Sequence, residues 1–136
     1  MTTIRDAIES QDMDAVEAML ADDVVFHSPV AFKPYSGKAI TNAILRSVVE
    51  VFEDFHYVRE IHDQERHALV FEATVDGLKI TGCDFLLSDP DGKIIDFMVM
   101  VRPLKAAQAL AARMAARFPD IQAAAATWSA ETRGDS

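Results

Sequence analysis

Cysteine, basic residues and long apolar runs are scarce in this chain of 136 residues. Cys83 is the only cysteine, which excludes an intramolecular disulfide and favours a reducing, cytoplasmic location. The 13 Lys and Arg residues stand against 22 Asp and Glu residues, for a net charge of −9, so a nucleic-acid partner is not expected. No apolar stretch approaches the ~20 residues that span a bilayer, and the N-terminal stretch lacks the pattern of a signal peptide. We therefore predict neither membrane insertion nor a targeting segment.

The composition that remains is typical of one globular domain. Half of the residues are hydrophobic and 26% are charged, which allows a sizeable core in one domain but not in two. We assign this domain to residues 1–118. Residues 119–136 form an Ala-rich extension with little periodicity, and its end is expected to be disordered.

Helical periodicity dominates the first part of the chain. Apolar residues recur at helical spacing in residues 4–8, 16–20 and 40–52, and Asp12 is a plausible N-cap for the second of these helices. The stretch DVVFHS, residues 23–28, reads as a strand, and a loop leads from it to the third helix.

From Phe55 onward the period changes to two. Four strands are predicted, separated by turn signals, at residues 55–62, 67–75, 78–87 and 93–102. A closing helix follows from Pro103 to Phe118. Helices followed by a long antiparallel meander predict an α+β fold, in which a curved sheet wraps around the N-terminal helices.

An inward-facing carboxyl group is the strongest functional signal. Strand alternation places Asp84 on the same face as Ile80 and Leu86, and this face is predicted to point inward. Four apolar residues are candidate substrate-binding residues on the same interior: Leu69, Phe71, Phe97 and Val99. Burial raises the pKa of a carboxyl group, so Asp84 is a candidate catalytic acid or hydrogen-bond donor. The alternative is a structural role, with Asp84 accepting hydrogen bonds from Tyr35, Arg102 or a backbone amide.

The junction DVVFHSPVAFKPYSGK, residues 23–38, is the predicted rim of a site. His27 is a candidate catalytic base because the usual pKa of histidine lies near neutral pH, and its alternative role is to tie down a loop. Adjacent strand residues face opposite sides, so His27 reaches the interior only if the strand ends or bulges there. Ser28 and Tyr35 are further candidate substrate-binding residues, and Tyr35 either donates its hydroxyl at the mouth or packs on the third helix.

No metal or cofactor is expected. His56, His62 and His67 lack a compact ligand spacing with a fourth donor, so they are read as solvated turn residues. YSGK at the start of the third helix lacks the glycine spacing of a phosphate-binding loop.

An apolar patch is predicted on the outer face of the sheet, where Phe85, Met98 and Met100 point away from the core. Either a helix or the tail covers this patch, or it joins two copies of the chain in a homodimer.

Several of these features together resemble the nuclear transport factor 2-like superfamily. They are the order of elements, ADDVVFHSPV after a short helix, a glycine opening the third helix, and Asp84 nine residues before the Lys of PDGKI. The superfamily includes ketosteroid isomerases and SnoaL-like polyketide cyclases. The likeness covers about residues 13–102 and is one of fold pattern, without a diagnostic catalytic string. It implies a cone-shaped α+β fold with a deep apolar pocket, often in a homodimer joined through sheet faces.

The resemblance does not carry over the whole isomerase site. That site pairs a carboxylate base near the end of the first strand with a tyrosine and a protonated aspartic acid. Asp84 matches the protonated acid, but Ser28 occupies the base position and about Ile4 the tyrosine position. A serine hydroxyl does not shuttle protons near neutral pH as a carboxylate does. These two differences argue against a genuine steroid isomerase.

Two functions follow from the sequence. One is a cofactor-independent isomerase, cyclase or hydrolase that acts on a small apolar ketone- or polyketide-like metabolite by acid/base catalysis. The other is a non-catalytic ligand-binding or protein-interaction domain of the same fold.

Overall fold

The computed structural model describes residues 3–134, with side chains described up to residue 131. Within residues 3–134, four helices and six strands follow one another. Their bounds are α1 (Ile4–Glu9), α2 (Met13–Met19), β1 (Leu20–His27), β2 (Tyr35–Ser36), α3 (Lys38–Val51), β3 (Glu53–Asp63), β4 (Arg66–Val75), β5 (Leu78–Ser88), β6 (Ile94–Arg102) and α4 (Leu104–Gly134).

The strands form one curved sheet in the order β2-β1-β6-β5-β4-β3. The meander from β3 to β6 is antiparallel, as predicted, whereas β1 joins the sheet parallel to β6. The two-residue strand β2 was not predicted, because two residues carry no readable alternation. The α+β fold with a curved sheet around helices is confirmed.

Side-chain caps fix the starts of the two N-terminal helices. Thr3 caps α1, where its hydroxyl accepts a hydrogen bond from the Asp6 N–H at 3.1 Å. Asp12 caps α2 as predicted, accepting from the Ala15 N–H at 3.2 Å. Each cap satisfies a backbone donor that the first turn of a helix leaves free.

The main core lies between the inner face of the sheet and the helices. Phe71 of β4 and Phe97 of β6 are its largest fully buried side chains. Gly82 makes room for Phe71, because a Cβ at position 82 would lie 2.2 Å from the Cζ atom of that ring. Glycine at this position therefore allows an aromatic ring to lie directly against the β5 backbone.

Helix α4 does not end at Phe118, where the sequence predicted an end, but continues through Pro119 to Gly134. Beyond the proline, Ile121 and Ala125 are buried in the same core as the N-terminal helices. Part of the predicted extension thus packs on the domain. The disorder expected at the C-terminus falls in part on residues 135–136, which lie outside the described residues. None of the helices within residues 3–134 is long and apolar enough to cross a membrane.

Candidate functional site

A small cavity lies between the inner face of the sheet and helices α1 to α4. Its volume is about 60 Å³. Three of the side chains that line it are polar, those of Ser28, Tyr57 and Asp84. The others are apolar: Ile8, Met13, Val16, Phe26, Pro29, Val30, Ile44, Leu45, Val48, Val49, Phe52, Phe55, Phe71, Phe97, Val99, Leu110 and Met114. The cavity is therefore an apolar chamber with a few polar groups on its wall, as is typical of small-molecule sites.

Asp84 is the acidic group of this wall and is only 5% exposed. Desolvation raises the pKa of its carboxyl group from 3.8 to about 7, and a hydrogen bond from Tyr57 opposes part of that rise. The Tyr57 hydroxyl donates this bond to Oδ2 of Asp84 at 2.6 Å. Asp84 is thus divided between its protonated and ionised forms near neutral pH.

Tyr57 is held in place through its own backbone. The N–H of Tyr57 donates to the Glu9 carboxylate at 2.9 Å, and the Arg5 guanidinium donates to the Tyr57 carbonyl at 3.2 Å. A register shift in the β3–β4 pairing between Tyr57 and Arg59 accompanies these contacts. Helix α1 therefore fixes the strand position from which the tyrosine reaches Asp84.

The hydroxyl of Tyr57 keeps its proton throughout the physiological pH range. Burial raises the pKa of Tyr57 well above 10, and the neighbouring Asp84 charge raises it further. In this cavity Tyr57 is consequently a neutral hydrogen-bond donor.

A second, more open groove of about 500 Å³ adjoins the cavity. Four residues line both spaces: Ser28, Val30, Ile44 and Met114. We call the two spaces the inner cavity and the outer groove. The remaining groove residues are Ala31, Tyr35, Ala111, Ala115 and Phe118.

Comparison with other proteins fixes the family. Residues 2–97, or 96 of the 136 residues, match the family described as SnoaL-like domain. This chain belongs to the SnoaL-like domain family. No curated protein matches the chain.

Solved structures place this SnoaL-like domain in the nuclear transport factor 2-like and ketosteroid isomerase-like superfamily. A steroid delta-isomerase from Pseudomonas aeruginosa is 40% identical, with a TM-score of 0.81 over 87% of this chain and 88% of that chain. An uncharacterised protein with a cystatin-like fold from Silicibacter pomeroyi is 31% identical, with a TM-score of 0.80 over 89% of this chain and 90% of that chain. A SnoaL-like protein of unknown function from Burkholderia thailandensis shares the fold alone, at 17% identity and a TM-score of 0.60 over 73% of this chain and 88% of that chain.

Most of the residues predicted to bind substrate lie at the inner cavity of this SnoaL-like domain. Phe71, Phe97, Val99 and Ser28 line it. The Ser28 hydroxyl accepts a hydrogen bond from the Val30 N–H at 3.2 Å, which orders the loop after β1. Leu69 pairs with Asp84 across the β4–β5 ladder, but it is fully buried in the core and is not part of the cavity wall.

His27 lies on the other side of the sheet. Strand β1 continues in regular alternation to its end, so Phe26 points into the cavity and His27 points outward. The His27 imidazole Nε2 lies 3.1 Å from the Asp96 carboxylate, with 30% of its side chain exposed. The expectation that His27 supplies a base to the pocket is corrected by this geometry, because the alternation of β1 is regular from Val24 to His27 and the strand does not end before His27.

Tyr35 lines the outer groove and packs against Phe118, with ring centroids 5.8 Å apart. It does not contact Asp84. The donor to Asp84 is Tyr57, not Tyr35, Arg102 or a backbone amide as the structural alternative supposed. Ile4, near the tyrosine position of the isomerases, packs against the core and does not line the cavity.

Tyr57 is the polar residue of the cavity wall that the sequence analysis did not predict. Alternation in FHYV places Phe55 and Tyr57 on one face of β3, and Phe71 lies opposite Tyr57 in the next strand. The sequence predicts that this face points inward in β4, but the prediction does not extend to β3. The available signal was therefore a tyrosine in register with an interior phenylalanine.

No group of three or more His, Cys, Asp or Glu side chains in the described part of the chain could hold a metal ion. His62 and His67 do meet across the β3–β4 turn, where their Nδ1 atoms are 2.7 Å apart. Both are surface residues of the turn, away from the inner cavity.

Proposed function

We propose that this chain is a cofactor-independent enzyme that isomerises a small apolar ketone by moving a proton at Asp84. One observation carries the proposal: a carboxyl group with a pKa of about 7 stands on the wall of an apolar cavity, beside the neutral donor Tyr57. A general acid or base is most effective when its pKa lies near the working pH.

The number of titratable groups narrows the reaction class. Asp84 and Tyr57 are the titratable side chains of the cavity wall in the described part of the chain, and Tyr57 keeps its proton. A reaction at this wall therefore uses one carboxyl group both as base and as acid. An isomerisation has this property, because the proton that is removed is also the proton that is returned.

A β,γ-unsaturated ketone illustrates the proposed step. Ionised Asp84 takes a proton from the carbon between the carbonyl and the double bond, and the C–H electron pair flows toward the carbonyl oxygen to form a dienolate. Asp84 then returns the proton to the γ carbon, which leaves the double bond conjugated with the carbonyl. The hydroxyls of Tyr57 and Ser28 are the neutral donors on the same wall for the negative oxygen of the dienolate.

The size of the inner cavity favours a small reacting group. One water needs ~10–15 Å³, so about 60 Å³ corresponds to roughly four to six non-hydrogen atoms. The 40%-identical protein from Pseudomonas aeruginosa is described as a steroid delta-isomerase, which supports isomerisation as the reaction class. A steroid ring system is much larger than this cavity, and we propose a smaller ketone.

The test uses 4-penten-2-one, which has six non-hydrogen atoms and whose conjugated isomer is detected by ultraviolet absorbance. We expect Asp84→Asn to lower the rate by about 100- to 10,000-fold, the usual contribution of a general acid or base. The rate of the unmodified protein should rise with pH through about 7, because the ionised form of Asp84 removes the proton.

Two matched variants separate a catalytic role from general damage. Asp96→Asn makes the same chemical change on the outer face of the sheet, and His27→Gln removes its imidazole partner there. Both should leave the rate unchanged. An unaltered rate in Asp84→Asn, with the protein folded by circular dichroism, would refute the proposal, as would loss of activity in His27→Gln.

A second candidate function is non-catalytic binding of a small apolar molecule. The observation in its favour is that Tyr57 already donates to Asp84 at 2.6 Å, so the polar groups of the wall are satisfied without a reaction. The same experiment distinguishes it from the first: 4-penten-2-one would raise the melting temperature and be recovered without conversion. Conversion that depends on Asp84 would exclude the second candidate.

A further inference from the structure

The inner cavity and the outer groove are adjacent parts of one apolar space. Ser28, Val30, Ile44 and Met114 line both spaces, so the two spaces lie next to each other at these four residues. Met114 is half-buried and unbranched, and methionine side chains change rotamer at little energetic cost. A change of the Met114 rotamer would widen the connection between the two spaces.

The two spaces differ in size and in the polar groups that line them. The inner cavity holds about 60 Å³ and contains the Asp84–Tyr57 pair, whereas the outer groove holds about 500 Å³, within the ~300–1,000 Å³ typical of small-molecule sites. Ala111 and Ala115, one turn apart on α4, leave the groove open along the helix, and the rings of Tyr35 and Phe118 form an aromatic wall. The groove thus offers mainly apolar surface.

We infer that the ligand is an elongated alkyl ketone, with its carbonyl end in the inner cavity and an aliphatic chain that passes Met114 into the outer groove. This inference rests on the proposed function, because it places the carbonyl group of the ligand beside Asp84. It adds a substrate class and assigns Val30, Ala31, Met114 and Ala115 as residues that determine the length of ligand the protein accepts.

A series of saturated 2-alkanones tests this arrangement by binding alone, measured by isothermal titration calorimetry. 2-Butanone has five non-hydrogen atoms and fits the inner cavity, whereas 2-octanone and 2-decanone extend beyond it. Each methylene that enters the groove should raise the affinity by about fourfold, which is the ~0.8 kcal/mol of a buried methylene expressed as a ratio.

Substitutions in the outer groove test whether the alkyl chain of the ligand lies there. Ala115→Phe fills the groove from α4 and should remove the gain in affinity beyond 2-hexanone, while leaving 2-butanone binding unchanged. Ala112→Phe is the matched control, because Ala112 is exposed on the same helix and lines neither space. Ala31→Phe fills the groove from the opposite loop and should also remove the gain in affinity for long ketones. It keeps the test decisive if Ala115→Phe disturbs the folding of α4.

Three results would overturn the inference. They are an affinity that stays constant beyond six non-hydrogen atoms, equal weakening of long-ketone binding by Ala112→Phe and Ala115→Phe, and equal weakening of 2-butanone and 2-decanone binding by both groove variants. Failure here is distinct from failure of the proposed function, because 4-penten-2-one fits within the inner cavity and its turnover does not require the groove.

Discussion

Asp84 and Asp96 lie on neighbouring strands of one sheet but on opposite faces. Asp84, on β5, is buried against Tyr57, and burial raises the pKa of its carboxyl group to about 7. Asp96, on β6, pairs with His27 on the outer face, where 40% of its side chain is exposed. The two residues have the same chemical group, and the side of the pleat on which each falls decides whether water solvates it. The inner face therefore carries the candidate chemistry, and the outer face carries solvated pairs and an apolar patch.

The largest difference between the two aspartates should appear in the pH dependence of stability. In the unfolded chain Asp84 loses its proton near pH 3.8, but in the folded protein it keeps the proton to about pH 7. Its contribution to stability is therefore fully present below pH 3.8 and is lost as the pH rises to 7. The loss is about 4 kcal/mol, from 3.2 pKa units at ~1.36 kcal/mol each.

Urea unfolding at a series of pH values measures this effect. The free energy of unfolding of the unmodified protein, relative to Asp84→Asn, should fall by about 3 kcal/mol between pH 4 and pH 7. Asp96→Asn makes the same chemical change on the outer face and is the matched control for Asp84→Asn. Parallel pH profiles for the unmodified protein and Asp84→Asn would contradict the burial of an ionisable group at this position.

A smaller effect is expected on the outer face, which we propose pairs with a second copy of the chain. Phe85 is 41% exposed and Met100 55% exposed, with Met98 half-buried beside them, so an apolar patch is left on the sheet surface. Phe85→Glu would put a charge at a two-fold interface in both copies and should raise the dimer Kd by about 100-fold, the scale of a hot-spot residue.

Sedimentation velocity over a range of concentrations measures that change in Kd. Phe32→Glu makes the same substitution at a fully exposed loop residue outside the sheet and should leave the Kd unchanged. An unmodified protein that is monomeric at all concentrations would contradict the dimer.

The smallest expected effect concerns the hydrogen bond within the inner pair. Tyr57 lowers the pKa of Asp84 against the larger influence of burial, so Tyr57→Phe should move the pKa of Asp84 above 7. The carboxyl carbon of Asp84, followed by NMR during a pH titration, reports this pKa directly. Tyr35→Phe removes a hydroxyl at the outer groove and should not move it. A fall in the pKa of Asp84 in Tyr57→Phe would show that the tyrosine does not stabilise the ionised form.

Much of the inner face could be predicted from the sequence, because alternation in a strand is a local signal. Asp84 shares its face with Ile80 and Leu86, and both of these residues are buried in the structure. Strand alternation also predicts that His27 points away from the interior unless β1 is irregular at its end. The register shift in the pairing of β1 lies between Leu20 and Val25 instead, and the alternation at His27 is intact.

Other parts of the site depend on contacts that alternation does not encode. The Asp84–Tyr57 bond joins β5 to β3 across an intervening strand, and the length of a tyrosine side chain is what spans that distance. The sequence also does not predict the full length of α4, because a proline followed by a run of alanines shows no stripe of large apolar residues. In the structure, burial of Ile121 and Ala125 in the core stabilises the second half of the helix.

Pro119 interrupts the backbone hydrogen bonding of α4 beside the outer groove. Proline has no amide hydrogen, so the carbonyl of Ala115 receives no helical hydrogen bond from residue 119. The missing hydrogen bond lies where α4 borders the groove, at Ala115 and Phe118. The part of the helix that follows is packed in the core through Ile121. Bending at this point breaks fewer hydrogen bonds than bending elsewhere along the helix. The backbone of α4 therefore has one hydrogen bond fewer to resist bending beside the groove residue Ala115.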